Sequence, residues 1–466
     1  MKTHQKLINR KEEIFIYMLI ALFFIASATV SVLRYYQFQS FYFDFGIFDR
    51  ALWLVAHFKA PIVFHPNFHG VEKVIFADHF NPSMLLLAPL YWVTDKREVF
   101  LVIQALIVSF SAFFAYQFSK FFVKNSYIRI GLLLCYLLFV GLQNALISDI
   151  HDATLATLPL VIMFWAVEKK KWIFYFIMMF IILGLKESFA GLMVGVGLYT
   201  MWRRNIKEGI ATIVVSFAWI YLAIYFIIPY FSGQEYFYSS GSNANFSIAT
   251  LFTPSIKIKT LFFSFLSFGF LPIFYPPLWP AIFENFFERF VTLSDTRWSL
   301  GLHYSATLSP LFFVSSVRLI SFLQTKKLPK FLFTILGIFL ICLSIFLHRF
   351  VFHGPLGLFY NSYFYSSTNN SRYINNLVSK IPTNGLIMTQ NDIAVRLTHY
   401  NVTLLDSNFT TTKPSAIAIN LTPGQNPNVY FPSTYVFAKK MVVYLLKDPR
   451  YKLEKYGDQL YLFVKK

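Results

Sequence analysis

The sequence predicts a mainly α-helical membrane protein with a small α/β domain after its last membrane span. Three observations predict this fold class. Hydrophobic residues make up 56% of the 466 residues and charged residues only 14%, whereas a soluble domain is about a quarter charged. Apolar runs long enough to cross a bilayer recur up to residue 349. Beyond that point these runs stop, and short apolar segments alternate with turn residues.

The apolar runs between charged residues predict about eleven spans. The predicted spans lie near 13–33, 98–122, 127–147, 153–168, 172–185, 187–202, 208–229, 258–275, 277–291, 304–322 and 331–349. The apolar segment 81–94 is too short to cross and is expected at the membrane interface. The predicted domains are therefore a helical membrane domain over 1–349, with a large first loop over 34–97, and an α/β domain over 350–466.

Charge distribution predicts the orientation. Short loops on one side of the spans carry basic clusters such as 169–171 and 203–204, and the positive-inside rule places these loops and the N-terminus in the cytoplasm. The formal net charge of +19 is therefore attributed to membrane topology, and no nucleic-acid partner is expected. An odd number of spans puts the C-terminal domain outside.

The C-terminal segment alternates strands and helices. The runs 385–389, 402–405 and 460–464 combine apolar residues with neighbouring turn signals and are predicted strands. The segments 392–397 and 434–446 are predicted helices. This pattern is typical of a small α/β domain.

Carboxylates and histidines gather on the predicted outer side, which favours a site for chemistry there. In the first loop, Asp44 precedes a stretch with helical apolar spacing. It is either an N-cap of that helix or a base whose pKa the surrounding aromatic residues raise. Asp49 follows within the same stretch. In the next cluster, Asp78 could cap a helix or act as a base, and His79 could contact a phosphate or a hydroxyl.

Three further clusters follow. Asp149, His151 and Asp152 lie at a helix junction, and carboxylates with imidazole could hold a divalent metal ion. Lys186 and Glu187 either pair with each other or provide a lysine that clamps phosphate. For the final pair, His303 and Tyr304, the preferred interpretation is an aromatic belt at the membrane interface. No P-loop, GxSxG or HExxH pattern is present in the sequence.

These clusters resemble, in the same order, a bacterial family of predicted membrane proteins that forms a domain of unknown function. The resemblance is carried by FDFGIFD at 43–49, DHFNP at 78–82, DIH at 149–151, LKE at 185–187 and HYS at 303–305. That family is in turn similar to the GT-C class of glycosyltransferases, which are polytopic, use polyprenyl-phosphate sugars and keep an acid in the first outer loop. The resemblance implies an integral protein of the bacterial plasma membrane.

The resulting hypothesis is an inverting sugar transfer from a polyprenyl-phosphate donor in the membrane lipid to an acceptor hydroxyl on the outer face. Asp44, or else Asp78, would take the acceptor proton, while His79 and Lys186 would stabilise the leaving phosphate. A divalent Mg²⁺ or Mn²⁺ ion is a possible cofactor. The other predicted substrate-site residues are Asp49, Asp149, His151, Glu187, His303 and Tyr304. The alternatives are a transporter or flippase and a non-catalytic assembly protein.

Overall fold

The computed structural model describes residues 2–68, 71–239, 247–326, 328–366, 369–456 and 459–466. The chain is mainly helical, with a small sheet region near the C-terminus. It forms two compact units. Unit 1 comprises Met1–Ser31, His79–Ser83 and Phe100–Tyr360, and unit 2 comprises Val32–Asp78, Met84–Val99 and Asn361–Lys466.

The helices are numbered in chain order. They are α1 (Lys2–Tyr36), α2 (Ile47–Ala56), α3 (Val99–Phe122), α4 (Ser126–Leu138), α5 (Val140–Ile147), α6 (Asp152–Leu155), α7 (Thr157–Lys169), α8 (Trp172–Leu183), α9 (Phe189–Trp202), α10 (Ile206–Leu222), α11 (Ile228–Ser232), α12 (Ser255–Leu266), α13 (Trp279–Phe290), α14 (Leu308–Gln324), α15 (Lys330–Phe346), α16 (Asn369–Lys380), α17 (Asn391–Ala394), α18 (Phe409–Thr412) and α19 (Tyr435–Leu445). The apolar segment 81–94 contains a run of 3₁₀ turns over Pro82–Trp92.

Fewer helices than predicted are long and apolar enough to cross a bilayer. Among the described residues there are five candidate spans, or six if α4 and α5, which meet at a 42° bend, form one span. The five are Arg10–Tyr36, Val99–Phe122, Ile206–Ser232, His303–Gln324 and Lys330–Val351. Other predicted spans coincide with shorter helices such as α7, α8 and α9. The count of about eleven spans is therefore not confirmed, although the membrane class is.

Close contacts between helices in unit 1 depend on small residues. A Cβ on Gly337 of α15 would lie 2.5 Å from the backbone carbon of Tyr127 in α4. A Cβ on Gly195 of α9 would lie 2.5 Å from backbone atoms of Ala281 in α13. Since membrane helices gain most of their association energy from such close packing, these glycines set the spacing of both helix pairs.

The described residues of unit 2 form two sheets. A hairpin in the first loop pairs β1 (Ile62–Phe64) with β2 (Glu72–Val74) in antiparallel fashion. The C-terminal segment forms a five-stranded mixed sheet in the order β4-β3-β5-β7-β6. Its strands are β3 (Ile387–Thr389), β4 (Val402–Leu404), β5 (Ala416–Asn420), β6 (Tyr451–Lys455) and β7 (Leu460–Lys465). Strand β3 runs parallel to β4 and β5, whereas β7 is antiparallel to β5 and β6.

Alternate residues of this sheet pack into two different cores. Ile387 and Ala416 face a core that also contains residues of α16 and of the first loop, including Tyr42, Ile47 and Phe64. Their neighbours in sequence, such as Met388 and Ile417, face a second core formed with α19. The first loop therefore supplies one of the layers that cover the C-terminal sheet. As a result, the division between the units does not coincide with a boundary at residue 349.

Candidate functional site

Two histidines and an aspartate from distant parts of the sequence meet in unit 1. This His–Asp cluster consists of His151, Asp152 and His303, whose potential metal-binding atoms all lie within 4.8 Å of one another. His151 and Asp152 lie where α6 begins, and His303 opens the turn before α14. The two imidazole rings stack with centroids 3.5 Å apart and planes inclined by 20°.

Most of the His–Asp cluster is shielded from solvent, with His303 half-buried. His151 and Asp152 are both buried, and burial lowers the pKa of His151 to about 4. The ring of His151 is therefore neutral at pH 7. A neutral imidazole can accept a hydrogen bond or bind a metal ion through one of its nitrogen atoms.

Gln104 of α3 holds the chain segment that carries His151. Its side-chain amide donates to the carbonyl oxygen of Asp149 at 2.7 Å, and its carbonyl accepts from the backbone amide of His151 at 2.9 Å. Between these contacts Asp149 adopts a φ of 67°, a left-handed conformation that is unfavourable for most residues other than glycine. A buried polar side chain therefore maintains the bend before the cluster.

Arg289 of α13 holds the loop that carries His303. Its guanidinium donates to the carbonyl oxygens of Arg297 and Ser299 at 2.8 and 2.6 Å, and to the hydroxyl of Ser305 at 2.8 Å. Arg289 is itself buried. Because its planar donors are satisfied by three points of one loop, this arginine positions the loop rather than offering a free cation.

Lys186 provides a cation beside the His–Asp cluster of unit 1. It lies between α8 and α9, with its Nζ 3.7 Å from Oδ2 of Asp152. Burial lowers the pKa of Lys186, but the carboxylates of Asp152, Glu288 and Glu187 together outweigh burial, so the pKa is raised. Lys186 therefore remains charged at neutral pH. Its pairing with Asp152, and not with the adjacent Glu187, differs from the simple ion pair considered from the sequence.

Glu187 instead binds the segment that begins at His79. Its carboxylate lies 2.8 Å from Nδ1 of His79 and accepts from the backbone amide of Phe80 at 3.0 Å and from the Tyr236 hydroxyl at 2.6 Å. Burial alone would raise the pKa of Glu187, but His79 and the other donors lower it. The His79 ring stacks on Tyr238 with centroids 4.7 Å apart.

Arg297 links these two groups of side chains. Its guanidinium carbon lies 5.9 Å from the ring centre of Tyr238 and 5.3 Å from that of Tyr304. The Tyr304 ring is in turn 4.0 Å from the His303 ring. Arg297 and Tyr238 were not predicted as site residues, although the position of Arg297 just before the HYS motif could have indicated it.

In unit 2, Asp49 is fully buried and surrounded by donors. Its carboxylate accepts hydrogen bonds from the hydroxyls of Tyr91 and Thr398. The side-chain nitrogens of Arg97 and His399 lie 3.6 and 3.5 Å from it. Since these partners come from the first loop and the C-terminal segment, Asp49 joins the two parts of unit 2.

The two predicted bases, Asp44 and Asp78, also belong to unit 2. Asp78 is buried, with one oxygen 3.1 Å from Nε2 of His65 and the other accepting from Asn67 at 3.2 Å. Asp44 lies in a π-helical turn over Tyr42–Gly46 and is only partly buried. The residue at the N-cap of α2 is Gly46, so the N-cap interpretation of Asp44 is wrong.

The predicted site residues thus fall into two sets. Unit 1 brings together His79, His151, Asp152, Lys186, Glu187, His303 and Tyr304, and the carbonyl of Asp149 belongs to the same network. Unit 2 contains Asp44, Asp49 and Asp78. The metal-capable group includes His303, which the sequence analysis placed in an aromatic belt, whereas the predicted set contained Asp149 in its place.

The apolar helices and the polar network at their ends define a polytopic membrane protein. Residues 34–428 match the family of predicted membrane proteins designated DUF2079, and the chain belongs to this family. No curated protein matches the chain.

Proposed function

We propose that the protein is a membrane glycosyltransferase that moves a sugar from a polyprenyl-phosphate donor to an acceptor hydroxyl on the outer face of the membrane, with inversion. The observation that carries the proposal is Lys186, a charged and largely buried residue in a unit of apolar helices, with imidazoles beside it. Such a cation suits the phosphate of a lipid whose tail occupies the bilayer.

The surroundings of Lys186 support the stabilisation of a leaving phosphate. Negative charge on that phosphate grows as the bond to the sugar breaks, and fixed cations stabilise it most in a site shielded from water. Lys186 and Arg297 supply such cations in unit 1, and His79 adds a ring nitrogen held by Glu187. Asp152 partly balances the charge of Lys186 at 3.7 Å, which leaves the lysine able to exchange partners.

The proposal retains Asp44 as the acceptor base. Asp49 has two hydroxyl donors, with the Arg97 guanidinium and the His399 ring beside it, so its lone pairs are largely committed to the fold. Asp78 has His65 and Asn67 as partners. Asp44 is more exposed than either, and a base needs access to the hydroxyl that it deprotonates.

Purified protein in nanodiscs would be given radiolabelled polyprenyl-phosphate sugars with envelope extracts as acceptors. Lys186→Met should weaken donor binding and abolish transfer, whereas Lys169→Met, an exposed lysine, should change neither. Asp44→Asn should abolish transfer but leave donor binding intact, and Asp95→Asn is its exposed control.

Different results would identify the alternatives. Movement of the lipid across liposome membranes without a covalent product would support a flippase. Wild-type function of both Lys186→Met and Asp44→Asn in cells would support a non-catalytic assembly protein. Either result would overturn the transferase proposal.

A further inference from the structure

We propose that the His–Asp cluster of unit 1 binds one divalent transition-metal ion, with Zn²⁺ as the ion that its donors suit best. The inference concerns the ion alone and does not require the proposed sugar transfer. It rests on the donor set, on the spacing of the donors and on the residues that hold them.

The donors are of the right kind and number. Two imidazoles and one carboxylate form a three-residue set of the type found in catalytic zinc sites, where a fourth position stays open for water or a substrate oxygen. Imidazole nitrogen suits Zn²⁺ and its neighbours in the first transition row, whereas Mg²⁺ prefers an all-oxygen shell. The chemistry of this set therefore disfavours the Mg²⁺ ion considered from the sequence.

The spacing requires only a small adjustment. Donor atoms about 2.1 Å from a tetrahedral ion lie roughly 3.4 Å apart. In the structure they lie within 4.8 Å of one another, so inward rotation of the side chains by about an ångström would close the set around an ion. The two imidazole rings, which stack with centres 3.5 Å apart, would turn out of this stack so that one nitrogen of each points to the ion.

The chain segments that carry the donors are fixed independently. Gln104 holds the backbone on both sides of the bend before His151, through bonds of 2.7 and 2.9 Å. Arg289 holds the His303 loop at three points. Preorganisation of this kind lowers the cost of assembling a metal site from separate parts of a chain.

Lys186 allows a metal site to be distinguished from a simple ion pair with Asp152. Its ammonium group lies 3.7 Å from the Asp152 carboxylate and competes with a cation for the same ligand. If the cluster binds an ion, Lys186→Met should tighten that binding several-fold. If Asp152 serves only as the counter-ion of Lys186, the same variant should create no metal affinity.

The test measures metal content and needs no turnover. The full chain in nanodiscs would be stripped with a chelator, loaded with Zn²⁺ alone and desalted, and the bound zinc measured by plasma mass spectrometry. About one ion per chain is expected, with loss of at least 10-fold in affinity for His303→Ala and for Asp152→Asn. His348→Ala, which removes another histidine of unit 1, should retain the ion.

A second measurement covers the case in which a variant does not fold. Co²⁺ added to the wild-type protein should give the visible absorption of a low-coordinate site with nitrogen ligands, and Zn²⁺, but not excess Mg²⁺, should remove it. Absence of these bands, or zinc stoichiometry unchanged in a folded His303→Ala protein, would overturn the inference. Failure of sugar transfer would not affect either readout.

Discussion

The carboxylate of Asp49 receives hydrogen bonds from Tyr91 and Thr398 and faces the side chains of Arg97 and His399. This residue lies five positions after Asp44, and the sequence predicted it as a substrate-binding residue, with Asp44 as the base. Their surroundings differ because the C-terminal segment folds back over α2 and provides Thr398 and His399. Asp49 therefore contributes to stability, and Asp44, which is partly exposed, remains the proposed base of that stretch.

We expect Asp49→Asn to destabilise the protein by about 3 kcal/mol, since it leaves Arg97 without its buried counter-charge. Thermal unfolding in detergent, followed by circular dichroism, would measure the loss. Asp44→Asn is the matched control and should cost less than about 1 kcal/mol, because Asp44 is partly exposed and most surface changes have small effects. Equal destabilisation by the two variants would contradict the separate roles.

Asp392 of α17 predicts a pH dependence of stability. It is buried in the C-terminal domain, and burial raises its pKa from 3.8 to about 7. Between these two values the folded protein binds more protons than the unfolded chain, so this residue's contribution falls as pH rises from 4 to 7. The full loss is ~4 kcal/mol at most, since one pKa unit corresponds to about 1.4 kcal/mol.

The variant Asp392→Asn should remove this contribution. Its melting temperature should exceed that of the wild type at pH 8 and approach it at pH 5, because the wild-type carboxyl is neutral there. The difference in melting temperature between the two proteins at each pH reports Asp392 alone, because all other titrating groups are common to both. Parallel pH profiles would show that Asp392 does not titrate in this window.

At the scale of elements, local sequence patterns predicted the C-terminal strands better than the membrane spans. The predicted strands 385–389, 402–405 and 460–464 are confirmed as β3, β4 and β7, and the helix predicted over 434–446 is α19. Strand β5 was not predicted. All five of its residues are buried, and a centre strand covered on both faces shows no polar alternation by which to recognise it.

The count of about eleven spans is not confirmed, because hydropathy measures only apolar length and not the length of the helices that form. Segments over 153–168 and 187–202 have the composition of membrane helices, but the structure breaks the first into α6 and α7 and limits the second to the 14 residues of α9. Helix α6 begins at Asp152 and α9 begins just after Lys186 and Glu187, so polar residues of the candidate site lie where these two helices start. A window average cannot detect that a few buried side chains end a helix.

Gly337 of α15 offers a test of helix packing. A methyl group there would meet backbone atoms of Tyr127 and Ile128 at 2.5 and 2.6 Å, so α4 and α15 would have to separate. We expect Gly337→Ala to destabilise the protein by about 1–3 kcal/mol, although helix propensity alone predicts a gain of about 1 kcal/mol. Ile338→Ala changes the next residue, which is exposed, and should have little effect in the same thermal assay. A Gly337→Ala protein that is more stable than the wild type would contradict this packing.

At the scale of the whole molecule, the sequence did not predict which chain segments together form unit 2. The first loop packs onto a sheet more than 300 residues later, through residues such as Tyr42, Ile47 and Phe64. Each of these residues is an ordinary apolar residue in its local context, so a single sequence gives no sign of its partner. The same limit applies to His151 and His303, which sequence analysis assigned to separate clusters.

The orientation of the chain in the membrane can be tested from its charge distribution. A cytoplasmic N-terminus and an external C-terminal domain require an odd number of crossings. Within the part of the chain that the structure describes, the candidate spans number five or six, depending on the bent pair α4 and α5. In a background that lacks the exposed Cys342, a cysteine at Tyr400 should react with an impermeant maleimide in intact cells. A cysteine at Lys170, in a basic loop that the positive-inside rule assigns to the cytoplasm, should react only after permeabilisation. Both positions are exposed, so access to the reagent reports the side of the membrane rather than burial. Reaction at Tyr400 only after permeabilisation would make the number of crossings even, and it would exclude an outer C-terminal domain.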